Sequence, residues 1–254
     1  MKSLRYVVAA LFVLVAIDAV AWTTEANKAV LMLAEENLSN KAKRSLNMLL
    51  GAPLSSVEFA NKGKSKTRLD ENGKSVTTDE EDAVVLLEKA IATLSNKSAS
   101  NQERKEALLT AVEMTVDIHC LSNILIDKHL EEDFTISRHH SMQVGFRYYK
   151  MIKTKWQKLW HSNYHKNHGV FSAEMYLYDW HIATEGMAKH YKKEVVAPRK
   201  WAECSGERAL QALKILKPNT ILEMVEVPKL EELNNAGLYD AAFHLANLLN
   251  KSLK

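Results

Sequence analysis

The chain has 254 residues, and 34 Lys and Arg against 31 Asp and Glu give a formal net charge of +3. So even a balance excludes strong steering toward polyanions by net charge alone. The 46% of apolar residues suffices for a sizeable core, and 8 Gly with 4 Pro argue against a turn-dense β architecture.

Residues 1–21 carry the parts of a secretory signal: Lys2 and Arg5, the run VVAALFVLVAI, then Ala19, Val20 and Ala21 as the small-residue cleavage site. The run is too short for a transmembrane helix. The expectation is a secreted or periplasmic protein with no membrane span, beginning at Trp22 after cleavage. Residues 22–254 fit one large domain.

Caps and breakers draft the helices in chain order. One covers residues 25–37, and a second runs from the Ser39 cap to Leu50, with Gly51 at its exit. Residues 54–61 make a short helical stretch, and GKSKTRLDENGKSVT reads as a polar loop. Thr78 with Glu81 caps the next helix, whose Val84, Leu87, Ile91 and Leu94 form one stripe. Ser100 with Glu103 is a capping box opening a helix over 101–127. That helix is apolar on nearly every side, from Leu108 and Val112 to Ile124, yet it carries Glu113, Asp117, His119 and Asn123. It is too polar for a membrane span and reads as the central buried helix. Residues 128–141 look irregular, 142–160 form an aromatic and basic helix, and 172–193 another, stopped by Pro198. Residues 199–216 form a helix closed by Pro218, and 230–250 form the last. The class is all-α, a single multi-helix domain without internal repeats or linkers.

Several side chains invite a chemical reading. Glu113 and Asp117 are four apart on one helix face, and two carboxylates in a core demand a cation. Cys120 and Cys204, the only cysteines, are either a disulfide of an exported protein or buried small hydrophobes. His119 beside Cys120 is not a thiol–imidazole pair, because helical neighbours point about 100° apart. Arg147, Tyr148, Tyr149, Lys150, Lys153, Lys155, Trp156, Lys158 and Trp160 interleave cations with rings, a surface able to stack single-stranded nucleic acid. The spacing of Phe146, Tyr149, Ile152, Trp156 and Leu159 equally describes an ordinary apolar helix face. His161, His165 and His168, with His139 and His140, are candidate zinc ligands that lack a completing carboxylate. Asn37, Asn96 and Asn250 each head an N-x-S acceptor for glycosylation.

Residues Ala107 to Asn123, ALLTAVEMTVDIHCLSN, together with the segments below, resemble a known family. It is that of the zinc-dependent single-strand nucleases and 3′-nucleotidases, the S-one/P-one nuclease family. Its central helix reads roughly A-L-x-F-L-x-H-x-x-G-D-I-H-Q-P-L-H. WTTEAN from Trp22 resembles the family's mature N-terminal W-G-x-x-G-H, and EFAN from Glu58 resembles its W-A-D segment. WAECS from Trp201 is similar to W-A-x-E-S, and Ala236 and Gly237 through LANLLN to A-G-x-R-L-A-x-L-L-N. The resemblance implies the all-α fold shared with bacterial zinc-dependent phospholipase C. It also implies an ancestral cluster of three zinc ions that polarises phosphate and supplies hydroxide.

Carried over position by position, the ligands are mostly gone. Trp22, Asp117 and Asp179 keep their type. Asn27, Glu113, Asn123 and Met175 stand where the family has histidine, and Asn61 where it has aspartate. The histidine of the next family segment has no counterpart, since none precedes His119, which matches the family's non-ligand histidine. The resemblance therefore implies a secreted, non-catalytic family member without zinc, binding a nucleotide, phosphate ester or single-stranded nucleic acid. The alternative is a metal-dependent phosphodiesterase or endonuclease with a rebuilt site. Three expectations for the pocket follow. The Trp22 ammonium sits between Glu113 and Asp117, with Asn27, Asn61 and Asn123 completing hydrogen bonds. Or the oxygen donors, with Asp179, hold calcium or magnesium. Or a metal binds at the later histidines.

Overall fold

The computed structural model describes residues 22–59, 65–76, 79–126, 133–143, 146–155, 160, 172–216, 221–222 and 226–253. These residues are mostly helical, with eight α-helices and two small sheets among them. None of the helices is long and apolar enough to cross a membrane.

Helix α1 (Thr24–Glu36) starts at Thr23, whose side chain accepts from the Ala26 amide. Helix α2 (Asn40–Leu50) starts at Ser39 and ends at Gly51 with φ of 68°, the left-handed turn that glycine makes cheaply. A 3-10 turn, Leu54–Ser56, follows. The stretch read as a polar loop contains strand β1 (Thr67–Leu69). Helix α3 (Ala83–Ser95) is capped by Asp82, one position beyond the Glu81 expected to close its cap; Thr78 lies outside the described residues. Asp82 Oδ1 accepts from Val84 N at 2.8 Å and Oδ2 from Arg68 N at 3.0 Å, tying β1 to the start of α3.

Helix α4 (Asn101–His119) opens with the complete Ser100–Glu103 capping box and packs against α3 and α2. It ends at His119, not at residue 127. Cys120 is extended, Leu121–Asn123 form a 3-10 turn, and β2 (Ile124–Ile126) pairs in parallel with β1, Thr67 opposite Ile124. A short apolar run fits either period. Here the β1 backbone supplies partners that a helix would forgo.

The largest departure concerns residues 133–155. The expected irregular segment and basic helix are an antiparallel pair, β3 (Asp133–Gln143) with β4 (Phe146–Lys155), Asp133 opposite Lys155 and His140 opposite Tyr148. Tyr, Phe, Ile and Thr favour a pleated surface, and pairing with β3 overrides the helical spacing. The helix expected over 172–193 is broken into α5 (Ala173–Ala183) and α6 (Met187–Tyr191) by Gly186 at φ of 79°. Helix α7 (Pro198–Ile215) begins with proline at a position that needs no donor. Strand β5 (Ile221–Leu222) joins β3 in parallel, and α8 (Val227–Ser252) closes the chain against α1 and α4. The Asn250 side chain accepts from Ser39 N at 2.7 Å and donates to Asn37 O at 3.1 Å, fastening the end of α8 to the α1–α2 connection.

Candidate functional site

Glu113 and Asp117 stand one turn apart on α4, both buried, Asp117 completely. The 3-10 turn after α4 folds Asn123 back, so that its Nδ2 donates to Asp117 Oδ1 at 2.9 Å. Its Oδ1 accepts from Lys66 Nζ at 2.7 Å. Lys66 is placed by the parallel pairing: Thr67 opposes Ile124, so Lys66 and Asn123 are the residues just before the paired ones. Ala83 N, at the start of α3, donates to the Lys66 carbonyl at 3.1 Å and fixes its backbone.

The electrostatics follow the geometry. Burial and the neighbouring Glu113 push the Asp117 carboxyl well above the usual carboxylate range, against the Lys66 charge and the Asn123 hydrogen bond. Burial draws the Lys66 ammonium down from its ordinary value, and Asp117 acts the other way. Four buried oxygens among the described residues have no hydrogen-bond partner: Asp117 Oδ2, Asn27 Oδ1 on α1, and the hydroxyls of Thr67 and Ser75.

The other expected residues divide. Trp22 is buried, belongs to one apolar cluster with Val116 of α4 and Cys120 just after it, and donates its indole N–H to Asn234 Oδ1 at 3.0 Å. Among the described residues, the positive charge acting on Asp117 is that of Lys66, from the stretch expected to be a polar loop. Asp179 and Met175 lie on the exposed side of α5, and Asp179 acts electrostatically on Tyr239. Asn61 lies outside the described residues, as do His161, His165 and His168. His139 and His140 are on β3, in register with Tyr149 and Tyr148. Within the stretch considered for nucleic acid, Trp160 is buried in the main core. No disulfide joins Cys120 and Cys204. Cys120 Sγ lies 3.1 Å from Ser122 Oγ, and burial pushes its thiol up to about 12, the protonated and unreactive form.

Of a second buried polar chain, the sequence singles out only His119. His119 Nδ1 is 2.7 Å from Thr115 O, and its Nε2 is 2.8 Å from His244 Nδ1. A carbonyl can only accept, so His119 carries its proton on Nδ1, and the single proton of a neutral His244 serves either His119 Nε2 or Glu194 Oε2. His244 Nε2 is 3.0 Å from Glu194 Oε2, and Trp201 stacks on the His244 ring with centroids 4.4 Å apart. Burial takes His119 down to about 4 and, with His119 beside it, His244 down to about 3, while Glu194 opposes the latter. Alongside, Asp240 accepts from Tyr191 and from Arg208, whose Nη1 is 2.5 Å away, and Arg208 Nη2 reaches Ser205 Oγ at 3.0 Å. Trp201, Ser205 and Gly237, all within motifs that carry the family resemblance, thus surround the end of α4. The available signal was that these motifs and His119 belong to one resemblance and could share one place.

The donor set does not fit a zinc cluster. Among the described residues, Asn123 turns its NH2 to Asp117 and its oxygen to the Lys66 ammonium, whereas zinc of this kind relies on imidazole nitrogen. No family model matches the chain, and no curated protein matches its sequence.

Proposed function

We propose that this chain is an exported relative of the zinc-dependent single-strand nucleases that has given up zinc catalysis and acts by binding. Its ligand class is the one the resemblance implies, a nucleotide, phosphate ester or single-stranded nucleic acid. The observation that supports this is the Asp117–Asn123–Lys66 ladder, in which side chains supply both the ligands' hydrogen bonds and the compensating charge. A zinc-activated hydroxide has no place in such a ladder.

The test is direct. Purified protein is incubated with single-stranded DNA and with a 3′-nucleotide, in turn with zinc, calcium and magnesium. The expected result is no turnover, with saturable binding of one of these ligands. Turnover that chelator abolishes and Asp117→Asn removes would overturn the proposal. It would establish instead the second reading, a rebuilt metal-dependent phosphodiesterase. Two buried acceptors without donors, Asp117 Oδ2 and Asn27 Oδ1, favour that reading to the extent that a hard cation would satisfy them.

A further inference from the structure

The β3–β4 pair changes what its aromatic and basic residues can mean. In a helix, Phe146, Tyr149 and Ile152 would share one apolar side and need no other explanation. In a strand they fall on alternating faces, so burial of a single side no longer accounts for them. From Asp133 to Lys155 the chain holds Arg138, Arg147, Lys150, Lys153 and Lys155 against Asp133 alone. Asp133 stands opposite Lys155, and the register sets Arg138 directly opposite Lys150. Like charges in that position destabilise a sheet, and an anionic surface against them would relieve the repulsion.

The register also sorts these residues by distance from the turn. Gln143 opposite Phe146 is the row nearest the turn, with Met142 just before it. His140 opposite Tyr148 and His139 opposite Tyr149 come next, and Arg138 opposite Lys150 follows. At about 3.3 Å per residue, the four steps from Phe146 to Lys150 span roughly 13 Å. Apolar residues first, amphipathic rings next and cations last is the order of a bilayer surface read outward from the acyl boundary. Arg147 fits beside Phe146 because a guanidinium on a long stem reaches back to the headgroups. A groove for single-stranded nucleic acid instead spreads its cations along the whole track and needs no apolar end. At the far end, β5 pairs only with Thr135 and Ile136. Among the described residues, no helix makes more than marginal contact with β3 or β4. A two-stranded ribbon is marginal by itself in water and gains from a surface to lie on.

We propose that the turn end of the β3–β4 hairpin docks the protein peripherally on an anionic lipid bilayer. Met142 and Phe146 would meet the acyl boundary, the Tyr148 and Tyr149 rows the interface, and Arg138, Arg147 and Lys150 the headgroup phosphates. The contact is separate from the Asp117 pocket and does not depend on what that pocket binds.

The experiment is co-sedimentation of the purified protein with vesicles of phosphatidylcholine, alone or with about 30% phosphatidylglycerol, a lipid that supplies the anionic surface charge. Wild type is expected to sediment with the anionic vesicles only, and less so as salt is raised. Arg138→Gln/Lys150→Gln should weaken binding about tenfold or more. Lys41→Gln/Lys43→Gln, the same charge change on the exposed side of α2, should leave it unchanged. Phe146→Ser should weaken binding while its salt dependence remains. Hydrogen exchange of wild type gives a readout free of variants: anionic vesicles should slow exchange over residues 138–143 and 146–150. The proposal is overturned if wild type ignores anionic vesicles, if the α2 pair weakens binding as much as the hairpin pair, or if Phe146→Ser has no effect. It is equally overturned if bound vesicles leave the hairpin amides unprotected, or if the hairpin pair abolishes binding of a single-stranded oligonucleotide by a protein that does not sediment.

Discussion

Gly237 shows what a single position can demand. A Cβ there would stand 2.7 Å from the His119 carbonyl oxygen and 3.5 Å from the Trp22 ring. The first neighbour is backbone at the end of α4 and cannot swing aside. Gly237→Ala is therefore expected to cost about 1–3 kcal/mol, read as a lower denaturant midpoint with an unchanged slope. A change below about 0.5 kcal/mol would mean that α8 does not approach α4 so closely. Residue by residue, the candidate site was half legible. The pairing of Glu113 with Asp117 could be read from their four-residue spacing on one helix face. Lys66 could not, because it sits in a run of Lys, Ser, Thr and Arg that carries no periodicity. Its role comes from the neighbour that β-pairing gives it, which is a tertiary fact. Asn123 illustrates why amides suffice here: one oxygen accepts from an ammonium while the NH2 donates to a carboxylate.

At the scale of elements, local chemistry decided what was legible. α1, α2, α4 and α7 start within a residue or two of where capping residues or proline predict, since an unsatisfied first turn needs a partner close in sequence. The β3–β4 pair was misread because Phe146, Tyr149, Ile152 and Trp156 satisfy helical spacing. The strand partner that outcompetes it is a separate segment. The junction at Asp82 lies between these cases. Its carboxylate caps α3 and also accepts from the β1 backbone, and α3 in turn holds the Lys66 carbonyl. Asp82→Ala therefore strips two hydrogen bonds from a buried junction and should cost about 2 kcal/mol in thermal or denaturant unfolding. Asp82→Asn, whose amide oxygen can still accept one bond, should cost roughly half of that. Equal costs for the two would show that the β1 contact contributes nothing.

In the whole molecule, α1, α4 and α8 are buried on two sides. Leu31, Leu108 and Leu248 belong to the larger core with α2, α3 and α7. Val30, Val116 and Leu238 belong to a second core with Trp22, Ala173, Leu177 and Trp180. This two-sided burial is why α4 reads as apolar all round, and why the helical class was legible from composition while the docking order was not. Trp22 sits at the centre of this second core's links, because it shares the cluster with Val116 of α4 and donates to Asn234 on α8 while sitting just before α1. Trp22→Ala empties a fully buried indole site, so about 3–5 kcal/mol should be lost. For a domain of this length that is a fall in melting temperature of roughly 10 °C, at 2–4 °C per kcal/mol. Trp22→Phe keeps most of the apolar burial but leaves the Asn234 oxygen without its donor, which predicts a smaller loss of about 1–2 kcal/mol. Combining Trp22→Phe with Asn234→Leu removes both polar groups together and should recover part of that loss, because the stranded acceptor is gone. If Trp22→Ala costs less than about 1 kcal/mol, the indole is not what joins α4 to α8, and the second core must rest on its remaining side chains alone.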